Sequence, residues 1–89
     1  MTTVLDPTKA ITPRQAELIA LYASGVDLRD IASRKFLSYS TVQSTLASAK
    51  DRVGARNLAH LAVLCVEFGL IERNGHGFRP VQFDGIVSE

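Results

Sequence analysis

Cysteine and long apolar runs are nearly absent from this chain of 89 residues. The single cysteine, Cys65, has no partner for an internal disulfide and no signal peptide is visible, so we expect a protein of the reducing cytoplasm. No run of roughly 18 apolar residues occurs, so no membrane-spanning helix is predicted. A hydrophobic fraction of 46% and a charged fraction of 21% fit one small folded domain.

The sequence also has little that could support catalysis or cofactor binding. His60 and His76 are isolated from other metal-ligating side chains, so no metal site is predicted. No nucleophile stands in a pattern with a base and an orienting residue, and no glycine-rich loop suits a phosphate-bearing cofactor. We therefore expect neither enzymatic activity nor a cofactor.

Net charge is only +1, but positive charge is concentrated in the middle of the chain. Residues 29–56 hold six basic and two acidic side chains, whereas the segments on either side are both net negative. A local basic patch is typical of a phosphate-binding surface. An ordinary solvated face would give the same distribution, so charge alone leaves both interpretations open.

Capping signals divide the first part of the chain into two helices. Residues 12–15, TPRQ, have the form of a capping box with proline at the first helical position. Gly25 is placed to end this helix, and Asp27 to begin a second. The second helix is short and is predicted to end near residue 35.

Two further helices follow. Ser38 is the predicted N-cap of the third helix, and Gly54 ends it. Its apolar stripe has helical spacing and consists of Val42, Leu46, Ala49 and Val53. Asn57 is the predicted N-cap of a fourth helix, which reaches roughly to Phe68.

The rest of the chain flanks this unit. Residues 1–10 are predicted to be a loose arm, residues 11–71 the helical domain, and residues 72–89 a tail. The tail is turn-like at RNGHGF and extended at FRPVQF, where Pro80 restricts a strand to a sheet edge. We expect it to pack on the domain or across a dimer.

A short helix, a three-residue turn and a longer helix predict a helix-turn-helix motif. In this motif the second helix enters the major groove of DNA. Small polar side chains would let its backbone approach the bases, and hydroxyl groups can bond phosphates or bases at short reach. The residues expected to contact DNA are Ser38, Tyr39, Ser40, Thr41, Gln43, Ser44, Ala47, Lys50 and Arg52.

Residues 11–71, about two thirds of the chain, resemble the LuxR/GerE-type DNA-binding domain. No single element is specific, but the ordered set is. The matching positions are Thr12, Arg14, Gly25, Ile31, Ala32, Ser38, Thr41, Val42, Gly54, Gly69, Leu70 and Ile71. The resemblance implies an all-α, four-helix fold, here with a short extended C-terminal tail. It also implies a phosphate contact at Thr41 and base reading near Gln43 and Ser44.

Five positions depart from the family pattern. Gln15 replaces a common Glu, Lys35 a Leu, Gln43 a Lys, Thr45 a His and Arg52 a Lys. Fewer cations on the recognition helix imply weaker non-specific attraction to DNA.

The fourth helix is apolar nearly all round, since LAHLAVLCVEFGLI contains only His60 and Glu67 as polar residues. Either the tail covers this excess apolar surface or a second copy does. The resemblance implies the latter, because the family pairs through its last helix. The expected homodimer contacts are Leu58, Leu61, Ala62, Leu64, Cys65 and Phe68.

These features predict a sequence-specific transcription regulator that binds double-stranded DNA. Relatives usually carry a receiver or ligand domain upstream, whereas about ten residues precede the motif here, so we expect a free-standing protein controlled by its abundance or by a partner. The alternative is an interaction module that binds RNA polymerase or a sigma factor without reading DNA. Salt-dependent binding to duplex DNA would separate the two.

Overall fold

The computed structural model describes residues 11–81, so the predicted N-terminal arm and the last eight residues of the tail lie outside the described part of the chain. Four helices are followed by two strands. Their bounds are α1 Pro13–Ala23, α2 Leu28–Lys35, α3 Tyr39–Val53, α4 Leu58–Glu67, β1 Ile71–Asn74 and β2 Gly77–Pro80. None of the described helices has both the length and the apolar character needed to cross a membrane.

The predicted helix starts are confirmed. Thr12 Oγ1 accepts the backbone N–H of Gln15 at 3.1 Å, and Gln15 Oε1 accepts that of Thr12 at 3.0 Å, which completes the capping box. Gln15 is only 6% exposed, and its neutral amide avoids the cost of burying a carboxylate there. Asp27, Ser38 and Asn57 cap the other three helices in the same way.

The turn between α2 and α3 has an unusual backbone. Phe36 caps the end of α2 with φ 57°, in the left-handed region that glycine normally occupies, and its side chain is 95% exposed. The backbone N–H of Leu37 then bonds to the carbonyl of Ala32 at 2.9 Å, which closes the helix end. The chain therefore reverses within three residues, as predicted, but with a solvated aromatic side chain at the corner.

The expectation of an all-α fold is corrected by a small antiparallel hairpin. Ile71 pairs with Pro80 and Asn74 with Gly77 across a two-residue loop, in which Gly75 adopts a φ of 65°. Pro80 lies at the end of β2, where its missing N–H does not interrupt the ladder. Beyond it, the N–H of Val81 bonds to the carbonyl of Leu70 at 3.0 Å.

The hairpin packs against α1, and one hydroxyl group joins them. Ser24, at the end of α1, accepts the backbone N–H of Phe78 at 2.7 Å. Phe78 itself packs against the core at half-burial. Within residues 72–81, the tail is thus a structural part of the domain, in line with the expectation that it packs on the helices.

The core lies between the helices. It is built from apolar side chains of every helix and of the first strand, among them Leu18, Ile19, Ile31, Val42, Leu46, Leu61 and Ile71. The predicted α3 stripe is confirmed at Val42, Leu46 and Ala49, which are all fully buried, whereas Val53 is only partly buried. This burial determines which face of α3 meets solvent.

Candidate nucleic-acid interface

The side of α3 away from its buried stripe is solvent-exposed, and most of its side chains are small. The predicted DNA-contacting residues that lie exposed are Ser38, Tyr39, Ser40, Thr41, Gln43, Ser44, Ala47 and Arg52. Lys50 is half-buried. The whole predicted set therefore lies on α3 and its N-cap.

Several hydroxyl groups at the start of α3 already have partners within the chain. Ser38 Oγ lies 2.8 Å from Thr41 Oγ1 and 3.4 Å from Ser40 Oγ, while it also caps the helix. Ser44 Oγ donates to the carbonyl of Ser40 at 2.9 Å. These bonds hold the hydroxyls in place and leave their remaining lone pairs as acceptors.

The two predicted phosphate-binding cations differ in setting. Lys50 Nζ lies 3.1 Å from Asp51 Oδ1, and its side chain is 29% exposed, so an adjacent carboxylate partly offsets its charge. Arg52 is exposed in the last turn of α3. Lys35, near the end of α2, is half-buried and its Nζ lies 3.6 Å from Glu17 Oε1.

Tyr39 connects the first turns of α2 and α3. The guanidinium carbon of Arg29 lies 5.0 Å from the centroid of the Tyr39 ring. On the other side, Gln43 Nε2 lies 3.5 Å from Tyr39 Oη. Arg29 was not among the predicted contact residues, although its charge counted toward the basic segment, because stacking across two helices has no signal in the sequence.

The fourth helix divides into a core face and a solvent face, and this revises the predicted dimer contacts. Leu61 is 1% exposed and Cys65 is 0% exposed, so both belong to the core of the domain and are unavailable to a second copy. Of the remaining predicted residues, Leu58, Ala62 and Leu64 are partly buried and Phe68 is exposed. The large apolar side chains that α4 exposes most are instead Val63 at 61% and Val66 at 44%.

Cys65 and His60 both have structural surroundings in the domain. Burial raises the pKa of the Cys65 thiol to about 12, which keeps it protonated and unreactive. His60 Nδ1 accepts the backbone N–H of Arg56 at 3.0 Å, so that nitrogen serves the start of α4. No group of three potential metal ligands occurs within residues 11–81.

Two curated regulatory proteins contain a segment similar to this chain. The methanol utilization control regulatory protein MoxX of Paracoccus denitrificans is 38% identical over 58 residues, which cover 65% of this chain and 26% of that protein. The probable transcriptional regulatory protein SgaR of Hyphomicrobium methylovorum is 37% identical over 71 residues, which cover 80% of this chain and 32% of that protein. The chain thus spans between a quarter and a third of each relative. No model of a known protein family and no solved structure matches it.

Proposed function

We propose that this chain is the DNA-binding part of a transcription regulator, with α2 and α3 forming a helix-turn-helix of the LuxR/GerE type. In this proposal α3 lies in the major groove of double-stranded DNA. The observation that carries this proposal is that α3 has two different faces. A buried apolar stripe anchors the helix to the core, while the exposed face offers mostly short polar side chains. The names of the two similar regulators support a role in gene regulation.

The exposed residues of α3 would divide the work of binding. Gln43 points to base reading, because an amide can donate and accept together and so match N7 and N6 of adenine. Lys50 and Arg52 would contact phosphates, which are the same in every sequence. The hydroxyls of Ser38 and Thr41 are held 2.8 Å apart at the start of α3. There they would present donor and acceptor groups to the sugar-phosphate backbone of the DNA.

The test is selection of bound sequences from a random duplex library, followed by binding measurements on the selected site and on random duplex. Gln43→Ala should cost roughly 1–3 kcal/mol on the selected site only. Lys50→Ala should weaken binding to both DNAs and lower the salt slope by about one unit or less, since Asp51 already offsets part of its charge. Arg73→Ala is the matched control, because it removes an exposed cation from β1. This variant should change neither the binding to the two DNAs nor the salt slope.

Failure of the proposal has a distinct signature. If no sequence is enriched and binding to duplex DNA does not depend on salt, the groove-facing role of α3 is wrong. That result would favour a protein-interaction module acting on RNA polymerase or a sigma factor. If Gln43→Ala weakens binding to the selected site and to random duplex equally, only the base-reading role of Gln43 is wrong.

We further propose that the regulator pairs through the exposed face of α4, centred on Val63 and Val66. Val63→Glu should break the dimer and leave the fold intact, because the side chain is already 61% exposed. Phe36→Asn is the matched control, since it removes another exposed apolar side chain and asparagine tolerates the left-handed backbone. A wild-type protein that sediments as a monomer at tens of micromolar (on the order of 10⁻⁵ M) would refute this pairing.

A further inference from the structure

Tyr39 occupies a position between two side chains that belong to different elements. Arg29 comes from the first turn of α2 and places its guanidinium carbon over the ring, whereas Gln43 lies one turn further along α3 with its amide nitrogen near the hydroxyl. The ring face and the hydroxyl are separate parts of one side chain. Each can therefore be removed without the other.

We propose that Tyr39 is a positioning residue, whose ring holds Arg29 toward a DNA phosphate and whose hydroxyl orients the Gln43 amide toward a base. The inference rests on the proposed DNA-binding function and assigns to that function a phosphate contact outside α3. Tyr39 would thereby link phosphate binding by α2 to base reading by α3.

The Arg29 half of the proposal follows from guanidinium geometry. A cation–π contact with the ring does not use up the five N–H donors of the guanidinium, so donors directed away from the ring stay available for phosphate oxygens. Within residues 11–81, no carboxylate lies within ion-pair distance of Arg29. Arg29 and Tyr39 line an open hollow of about 340 Å³ together with Asp27. Asp27 Oδ1 accepts the backbone N–H of Asp30 at 2.9 Å, so this carboxylate caps α2.

The Gln43 half follows from the two hydrogens of the amide. A bidentate contact with adenine uses Oε1 and the N–H on the same side as Oε1. The second N–H of Nε2 points away from that edge, and Nε2 lies 3.5 Å from Tyr39 Oη. In the proposed geometry the hydroxyl would accept the hydrogen that the base does not use and would favour one of the two amide orientations. At 3.5 Å the bond is weak in the free protein, and the proposal requires it to shorten when DNA is bound.

Three substitutions separate the two halves on the site selected for the wild-type protein. Tyr39→Phe keeps the ring, so the salt slope should stay unchanged while preference for adenine over guanine at the Gln43 base pair falls severalfold. Arg29→Gln should lower the salt slope by about one unit and leave that preference intact. Tyr39→Leu removes both the ring and the hydroxyl. It should reduce the preference for adenine and should also lower the affinity for random duplex by about two- to fivefold.

A double-mutant cycle adds a readout that a purely structural role would not move. In a Gln43→Ala background, Tyr39→Phe should have no further effect on base preference, because its hydroxyl acts through the amide. Circular dichroism checks that each variant is folded, and Tyr39→Phe carries the test if Tyr39→Leu unfolds. Unchanged preference in Tyr39→Phe would overturn the inference while the proposed function stands. A wild-type protein without salt-dependent duplex binding would overturn the proposed function and this inference together.

Discussion

Removal of the Ser24 hydroxyl should destabilise this domain through the contact between α1 and β2. Ser24 Oγ donates to the carbonyl of Ala20 at 2.7 Å and accepts the backbone N–H of Phe78 at 2.7 Å. Ser24→Ala leaves that partly buried N–H without its acceptor. The unfolding free energy should fall by about 1–3 kcal/mol, the cost of an unsatisfied buried donor. For a domain of this size each kcal/mol lowers the melting temperature by roughly 4–8 °C.

Ser44→Ala is the matched control for this substitution. Ser44 Oγ also donates to the carbonyl four residues earlier, at 2.9 Å, but it lies on the exposed face of α3 and accepts no bond from another element. Alanine is the better helix former by up to about 0.5 kcal/mol, so this variant should be unchanged or slightly more stable. Thermal and urea unfolding followed by circular dichroism measure both. Equal shifts for the two variants would refute the role of Ser24 as a tertiary acceptor.

The same contact can be probed from the strand. A Cβ at Gly77 would lie 2.8 Å from Ser24 Oγ and 3.2 Å from Ser24 Cβ, so Gly77→Ala should displace the Ser24 hydroxyl or the hairpin and thereby lower stability. In a Ser24→Ala background the nearer atom is gone, and the penalty for Gly77→Ala should shrink by about 0.5 kcal/mol or more. Strict additivity of the two substitutions would show that the predicted clash is relieved in some other way.

Three further substitutions test single features of the fold. Phe36→Gly should raise the unfolding free energy by about 1 kcal/mol in urea titrations, because it relieves a left-handed backbone and removes no buried contact; a loss of stability would show that the aromatic side chain supports the fold. Thr12→Ala removes half of the capping box and should cost about 1 kcal/mol by the same measurement. Since burial raises the pKa of Cys65 from 9.0 to about 12, the unfolded chain loses the thiol proton first as pH rises. Above pH 9.0 this group should therefore lower stability by up to about 1.4 kcal/mol per pH unit, and the decline should be smaller by that amount in Cys65→Ala.

The outward face of α3 could be predicted because it is the complement of a periodic apolar stripe. Val42, Leu46 and Ala49 follow helical spacing, and each proved to be buried. The partners of the exposed side chains could not be predicted in this way. Arg29 lies ten residues before Tyr39 in the sequence, and only the packing of α2 against α3 brings the cation over the ring.

The fourth helix shows where composition alone fails. Its sequence is apolar on every side, so nothing local distinguishes Leu61, which is buried, from Val63, which is exposed. The buried face of α4 is the one that packs against α1, α3 and the hairpin, and this packing is tertiary. The predicted dimer set consequently mixed core residues with surface ones.

Local chemistry is enough to place the helices of this protein, because a capping side chain bonds to a backbone N–H only three residues away, as at Thr12 and Ser38. The hairpin has a local signal for its turn, in RNGHGF, but none that is sufficient to hold its strands together. Its strands are four residues long, and a lone hairpin of that size is at best marginally stable in water. It forms against α1, where Ser24 meets Phe78 across 54 positions of sequence, and contacts of that range exist only once the chain has folded.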